Sequence, residues 1–329
     1  MLGLVDCTSW LVFIAYVTLF VNNNLLIAFT KDKDNSYSYS TVLVVLLIEL
    51  SKLTVATIFY CHKYSFHNLV ADLQSNKTAF AYYLIPSVLY SIFNNLVFLN
   101  LANYNPTNYA ILLQFSIVIT GVIYQCLFKK DLSWQQWISL SILTLGCVIS
   151  HMEEANEVFL ELRDVFILIQ VLCSSFAGVY NEYLLKNYSS QLDFWLQGIF
   201  MYANTSMCCV VLVTISGKLS PGVLTASSLK SVFEPVVILI VVNNVIAGLV
   251  TGLFLYKLNS ILKKFALAIE MVALAILSRA LLGTTVNFTK AVSILLVSVS
   301  VIVYSLNPLA IKSEVVVKPG LKLSNGDAR

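Results

Sequence analysis

The chain has 329 residues, of which 58% are hydrophobic and only 11% are charged, and its formal net charge is +3. Soluble domains contain roughly a quarter charged residues, so this composition excludes an ordinary soluble enzyme or binding domain. Apolar stretches of about 20 residues, the length that crosses a bilayer, recur along almost the whole sequence. They are too continuous for the alternating pattern of barrel strands. We therefore predict an all-α membrane protein.

The hydrophobic pattern predicts ten transmembrane helices joined mostly by short polar connections. The predicted spans are 10–29, 40–60, 79–101, 107–128, 135–152, 163–185, 194–216, 232–256, 262–282 and 287–307. Residues 1–307 form one predicted ten-helix domain, and the polar segment 308–329 is predicted to be a flexible cytosolic tail.

Loop charges predict that both termini are cytosolic. Cytosolic loops of membrane proteins carry an excess of lysine and arginine. Twelve of these residues fall on the side that holds the two termini and five on the other side, while Lys52, Arg163 and Arg279 lie within or near spans. An even number of spans places the two termini on the same side, so the two inferences agree.

An asparagine pair occurs at matching positions in the two halves of the chain. Asn94-Asn95 lies in span 3 and Asn243-Asn244 lies in span 8. Five spans repeated once give an inverted 5+5 repeat, an arrangement that many membrane carriers use. The predicted halves are 10–152 and 163–307.

Polar residues within the spans are the first candidates for a functional site, because such groups are costly in hydrocarbon and usually face a cavity or the bundle interior. Glu49 and Lys52 lie three residues apart in span 2, where they form either a packing pair or part of an aqueous pathway. Tyr90 and Asn94 are four residues apart, so they share a helix face. The alternative for the asparagine is a hydrogen bond between helices.

Spans 4, 6 and 9 add further polar candidates. Gln114 and Ser116 interrupt the apolar run of span 4, and Tyr180 lies near the end of span 6.

Lys263 and Lys264 open span 9, where lysine opposes the helix dipole unless an anion is bound there. Glu270 lies seven residues beyond Lys263 on the same face. The alternative is that the two lysines flank the span only to set its orientation in the membrane. Without the family resemblance, this alternative is favoured.

The sequence shows no catalytic or metal-binding motif. Seven cysteines are scattered without ligand spacing, which is typical of small apolar core residues rather than a metal or redox site. HExxH, GxSxG and glycine-rich phosphate loops are missing. We predict a protein that is not an enzyme and needs no cofactor. Because the positive residues lie in loops and form no basic domain, we predict no nucleic-acid partner.

Five segments, in order along residues 40 to 307, resemble motifs of one family. They are Ile48–Leu53 (an ExxK segment), Pro86–Tyr90 followed by Asn94-Asn95, Leu132–Trp137, Phe176–Glu182, and Gly248–Lys263, which includes Asn259. Together they resemble the nucleotide-sugar transporters, in the branch that carries CMP-sialic acid, UDP-galactose and UDP-N-acetylglucosamine.

This resemblance implies a ten-span drug/metabolite-transporter fold in the Golgi membrane, with the ER membrane as the alternative. It also implies that a UDP- or CMP-linked sugar enters the lumen while the nucleoside monophosphate leaves. Both termini would be cytosolic, membrane lipid would surround the helices, and a homodimer is expected.

The resemblance assigns substrate-binding roles only where the motifs match. Tyr90 and Asn94 match residues that hold the nucleotide, and Lys263 matches a lysine that contacts phosphate. Ser116 stands where the family has a second phosphate-contacting lysine. Lys264 replaces a glycine, so we hypothesise that it supplies the charge missing at Ser116. Glu270 replaces a small residue.

These departures keep two other functions open. The protein could be a non-transporting scaffold of glycosylation complexes, or it could carry another phosphorylated metabolite. A membrane-embedded enzyme has no motif in its favour.

Overall fold

The computed structural model describes residues 6–32, 34, 36–128, 133–154, 162–215, 231–258, 260–283 and 287–306. Regular secondary structure in these ranges is helical, apart from an isolated bridge between Lys31 and Tyr37. The helices are α1 Cys7–Phe29, α2 Thr41–Lys63, α3 Phe66–Ser75, α4 Lys77–Tyr82, α5 Leu84–Asn103, α6 Pro106–Leu113, α7 Ser116–Phe128, α8 Trp134–Glu154, α9 Leu162–Tyr183, α10 Phe194–Ile215, α11 Pro235–Lys257, α12 Ser260–Leu282 and α13 Phe288–Leu306.

Seven helical segments of the described chain are long and apolar enough to cross a membrane. They are Cys7–Phe29, Thr41–Lys63, Lys77–Asn103, Pro106–Ile123, Asp164–Lys186, Phe194–Leu212 and Pro235–Lys257. Two shorter apolar helical segments, Trp134–Ile149 and Phe288–Val303, lie in α8 and α13. The all-α membrane class predicted from the sequence is confirmed by these helices.

The outer surfaces of the helices are apolar. Leu11, Ile58, Leu239, Ile276 and Leu295 are large side chains that are all exposed to the surroundings. In water such faces would have to associate or aggregate, whereas lipid tails solvate them. The surface therefore fits a bilayer.

All four tryptophans lie close to helix beginnings, in α1, α8 and α10. Tryptophan is enriched where a membrane meets water, because its ring is apolar and its N–H is polar. The positions of Trp10, Trp134, Trp137 and Trp195 therefore mark helix ends that fit the membrane boundary.

Two predicted spans are interrupted in the structure. Predicted span 3 divides at Tyr83 into α4 and α5, which places Pro86 in the first turn of a helix, where its missing N–H is tolerated. Predicted span 4 divides between α6 and α7, where the Gln114 N–H donates to Ile111 O (3.0 Å) and the Phe115 N–H to Leu112 O (3.1 Å). These are tighter, 3₁₀-type bonds, and a turn of this kind inside a helix often marks a functional hinge.

Helices α8 and α13 form a close pair away from the rest of the polar interior. The Ser139 hydroxyl donates to Ser300 O (2.6 Å), and the Ser300 hydroxyl donates to Ser139 O (2.7 Å). Gly146 allows this approach, since a Cβ built there would lie 3.0 Å from Val297 Cγ2. Small residues at contacts between membrane helices commonly serve this purpose.

This contact predicts that a glycine-to-alanine substitution lowers the stability of the protein more at Gly146 than at Gly178. Gly146→Ala should lower the free energy of unfolding by about 1–3 kcal/mol relative to Gly178→Ala, because the new methyl group overpacks the α8–α13 contact. A Cβ at Gly178 meets nothing within 4 Å. Both changes gain the same helix propensity, so thermal melting of the two variants in detergent isolates the clash. Equal melting temperatures would contradict the close contact.

Candidate functional site

A cavity with a volume of about 160 Å³ lies among the helices. Small-molecule pockets commonly measure roughly 300–1,000 Å³, so a ligand of that class would require this cavity to widen. Its walls come from α1, α2, α5, α6, α7, α9, α10, α11 and α12. Side chains from both predicted halves therefore face the same space.

One wall of the cavity holds a buried ion pair on α2. Lys52 Nζ lies 2.6 Å from Glu49 Oε1, and Asn94 Nδ2 donates to the same oxygen at 2.9 Å. Glu49 is 1% exposed and Lys52 is 7% exposed. The three-residue spacing on α2 brings the pair onto one face. Lys52 Nζ also lies 5.1 Å from the centroid of the Tyr202 ring, within range of a cation–π interaction.

Gly248 on α11 makes room for this lysine. A Cβ built at Gly248 would lie 2.6 Å from Lys52 Cδ and 3.2 Å from Lys52 Nζ. A contact of 2.6 Å is too short to be tolerated, so any larger residue would displace the lysine side chain. Because Gly248 has no side chain, the charged Lys52 side chain of α2 can lie against α11.

A second carboxylate lies in the cavity wall formed by α1 and α12. Glu270 is 3% exposed, and its Oε1 accepts a hydrogen bond from Asn24 Nδ2 at 2.9 Å. Its Oε2 is buried and has no hydrogen-bond partner among the described residues. Lys263 lines the same cavity and attracts Glu270 electrostatically.

Asparagines connect α1 to α11 beside this wall. Asn22 Nδ2 donates to Asn243 Oδ1 (3.2 Å), Asn243 Nδ2 donates to Leu19 O (3.0 Å), and Asn244 donates to Asn23 Oδ1. These bonds fix the two helices together without placing a net charge in the membrane. The second asparagine pair, Asn243-Asn244, therefore forms hydrogen bonds between helices, which is the alternative to a role in binding a ligand.

Four of the eight predicted substrate-binding residues line the cavity: Tyr90, Asn94, Ser116 and Lys263. The Tyr90 hydroxyl is buried and faces Asn181 without forming a hydrogen bond of ordinary geometry. The structure thus brings three predicted spans to one site.

The other predicted site residues are placed differently. Gln114 does not line the cavity, because its Nε2 donates to Leu267 O (2.9 Å) and ties the break between α6 and α7 to α12. Tyr180 packs near Tyr183, and its neighbour Asn181 lines the cavity instead. Asn259 and the side chain of Lys264 lie outside the described part of the chain.

The prediction from sequence missed several lining residues on α1 and α10. Asn23, Asn24, Tyr202 and Thr205 all contribute to the wall. The run of three asparagines in span 1 was a usable signal, since amides in hydrocarbon usually face a cavity. Tyr202 and Thr205 had no such signal, because isolated tyrosine and threonine are common in membrane helices.

The described cavity lining combines charged groups, hydrogen-bonding groups and aromatic rings. The described lining contains two lysines, two carboxylates, several amides and the aromatic rings of Tyr16, Phe20 and Tyr90. Within the described ranges, no group of three or more histidine, cysteine, aspartate or glutamate residues could hold a metal ion.

Comparison with known proteins matches this chain to membrane carriers. A family model described as nucleotide-sugar transporter matches residues 7–305. The UDP-galactose transporter senju of Drosophila melanogaster is 35% identical, over 92% of this chain and 87% of the relative. CMP-sialic acid transporter 2 of Oryza sativa subsp. indica is 25% identical, over 88% of this chain and 82% of the relative.

A solved crystal structure shares the fold at only 12% identity. It superposes with a TM-score of 0.57 over 92% of this chain and 97% of the other. At this identity the likeness concerns the arrangement of the helices alone.

The contact between Gly248 and Lys52 predicts a specific coupling. Gly248→Ala should destabilise the protein by about 1–3 kcal/mol, because the methyl group overlaps the buried lysine side chain. Gly252→Ala, one turn further along α11, is the matched control, since a Cβ there meets its neighbours at 3.6 Å or more.

Thermal melting in a double-mutant cycle checks the cause. The cost of Gly248→Ala should largely disappear in a Lys52→Ala background, where the overlapping atoms are gone. An undiminished cost in that background would show that the glycine acts on something other than Lys52.

Proposed function

This chain belongs to the nucleotide-sugar transporter family, and from that premise we propose that it exchanges a nucleotide sugar for a nucleoside monophosphate across the Golgi membrane. The cargo would be UDP- or CMP-linked. A UDP-linked sugar is the first candidate, given the 35% identical relative named as a UDP-galactose transporter. The observation that carries the proposal is the buried, lysine-containing cavity that both halves of the chain line.

The proposal includes ten spans in a 5+5 inverted repeat, within a single domain of residues 1–307. In that repeat α1 corresponds to α9, α2 to α10, α5 to α11, α6 and α7 to α12, and α8 to α13. The helix contacts agree with this correspondence: α1 packs on α11 as α9 packs on α5, and α5 packs on α10 as α11 packs on α2. The pairs α2–α10 and α8–α13 join corresponding helices to each other, which is consistent with a two-fold axis that passes between the members of each pair.

Contacts between connections support the proposed grouping of these connections on one side of the membrane. Lys63 at the end of α2 pairs with Asp193 before α10 (2.7 Å), and Lys186 after α9 donates to Leu258 O after α11. These connections are the ones that the loop charges assign to the cytosol. Their contacts with one another support a common side.

Transport would proceed by alternating access, in which the two halves rock about the cavity. Tyr90 and Asn94 would hold the nucleoside part, and Lys263 would bind phosphate. Carrying the empty cavity through the switch leaves Lys263 and the polar lining groups without the ligand atoms that would complete their hydrogen bonds, which is costly. A bound nucleotide removes that cost, so the loaded carrier reorients faster and exchange is favoured over one-way transport.

A second candidate function follows from Ser116. This residue lines the cavity at the position where the resemblance expects a phosphate-contacting lysine. A weaker anion site would suit a non-transporting scaffold or a carrier of another phosphorylated metabolite. A homodimer and residence in the Golgi, or alternatively the ER, stay predictions from the resemblance.

Exchange in proteoliposomes tests the proposed function. Vesicles preloaded with UMP, CMP, GMP or AMP are offered labelled nucleotide sugars, and uptake should depend on one internal monophosphate. Lys263→Ala should lower the exchange rate at least about ten-fold, since a charge-assisted hydrogen bond contributes roughly 1.5–3 kcal/mol. Lys257→Ala, which removes an exposed lysine at the end of α11, should leave the rate near that of the unmodified protein.

Protein that melts cooperatively but exchanges no pair would contradict the transporter proposal and favour the scaffold or another metabolite. If the two lysine variants lost the same fraction of the exchange rate, Lys263 would have no specific role in binding.

The orientation is tested independently of transport. Epitope tags at both termini should be digested by protease added to sealed Golgi vesicles whose cytosolic face is outward. Protection of either tag would contradict the cytosolic assignment, and protection of only one would also exclude an even number of spans.

A further inference from the structure

The carboxylate of Glu270 is a hydrogen-bond acceptor that lacks a full set of partners within the cavity wall. Its Oε1 is satisfied by Asn24, while its Oε2 is buried without a partner among the described residues. A buried carboxyl oxygen without a hydrogen-bond partner is costly, and this cost falls as soon as a ligand supplies one. Glu49 differs in that a lysine and an amide, Lys52 and Asn94, both donate to its Oε1.

The surroundings of Glu270 limit the donors that can reach it. The residue lines the cavity next to Asn24 and Tyr16 of α1 and near Lys263 of its own helix. Tyr16 is held by contacts with Phe20 (4.4 Å between ring centroids) and Phe254 (4.9 Å), so this wall is aromatic and fixed. The carboxylate repels phosphate groups, whereas Lys263 attracts them. A phosphorylated ligand is therefore oriented with its phosphate towards the lysine and a neutral donor towards Glu270.

We propose that Glu270 recognises a hydroxyl group of the bound ligand, on either the ribose or the transferred sugar. This inference rests on the proposed function, since it assigns a further specificity residue to the same site. Hydroxyls are the neutral donors that such ligands present in greatest number. The donors of uracil and cytosine lie beside base acceptors, which a carboxylate repels. A site built to bond a hydroxyl discriminates strongly against the analogue that lacks it.

Paired ligands of equal charge test the proposal. Detergent-solubilised protein is titrated with UMP and 2′-deoxy-UMP, with CMP and 2′-deoxy-CMP, and with UDP-galactose and its deoxy analogues at each hexose hydroxyl. The unmodified protein should bind one hydroxyl-bearing ligand roughly ten-fold or more tightly than its deoxy partner. Glu270→Ala should bring that ratio close to one. If the affinity ratio falls to one for the UMP or CMP pair, Glu270 binds a ribose hydroxyl. If it falls to one for a UDP-galactose pair, Glu270 binds a hexose hydroxyl.

Two further variants separate direct contact from other effects. Glu270→Gln keeps the shape and one acceptor oxygen, so it should show an intermediate ratio, and it serves as the readout should Glu270→Ala fail to fold. Glu182→Ala removes another carboxylate that acts electrostatically on Lys263 but does not line the cavity. It should leave every ratio unchanged, even where it alters overall affinity.

The remaining outcomes overturn the proposal in distinguishable ways. Unchanged hydroxyl ratios in the Glu270 variants, in protein that still binds nucleotide, would overturn the role of Glu270 alone. An equal change for every member of a pair would show that the carboxylate acts only by charge. Failure of the unmodified protein to bind any probe would overturn this proposal together with the proposed function.

Discussion

The cost of burying charge inside a membrane-spanning bundle is the constraint on which the rest of this structure depends. Glu49 and Lys52 are almost fully buried, and each would be strongly unfavourable without the other. Their pairing requires Asn94 from α5 and the bare backbone of Gly248 on α11. Three helices are thereby held around one interior space, and the apolar faces are left for lipid.

Among the described residues, the cavity lining is close to electrically balanced, whereas the resemblance implies a more positive lining. Among the described lining residues, Lys52 and Lys263 are accompanied by Glu49 and Glu270. With Ser116 at the expected lysine position, the described lining is less positive than the family pattern implies. Under the proposed function, an anionic cargo would be held by directional hydrogen bonds as well as by charge. The amides of α1 and α5, and the Glu270 Oε2 that has no partner among the described residues, would then contribute more to binding than the sequence motifs suggest.

Much of the fold could be predicted from the sequence, because long continuous apolar segments can satisfy their backbone hydrogen bonds in lipid only as helices. The helical class, the positions of most spans and the interior location of Glu49, Lys52 and Asn94 follow from that rule. The break at Gln114 could not be predicted, since no glycine or proline marks it and it depends on a bond to Leu267 on α12. Helix α3 was likewise missed, because its ten residues lie in a segment too short and too polar for a span.

The site was only partly predictable, because helical periodicity places a residue on a helix face but does not say whether that face lines a cavity, a neighbouring helix or lipid. Tyr180 and Asn181 are neighbours in one motif, yet only Asn181 lines the cavity. Lys263 was proposed as a phosphate ligand from a motif, whereas its neighbour in the wall, Glu270, gained a specific interpretation only when its unpartnered oxygen was seen.

In the proposed function, the nucleotide binds in this charged cavity. The most direct measurement is an experimental structure of the protein with the nucleoside monophosphate that supports exchange. We predict the nucleotide inside the cavity, with its phosphate within hydrogen-bonding distance of Lys263 Nζ and its nucleoside against Tyr90 and Asn94. A nucleotide bound elsewhere on the protein, with the Lys263 side chain free of phosphate, would contradict the account.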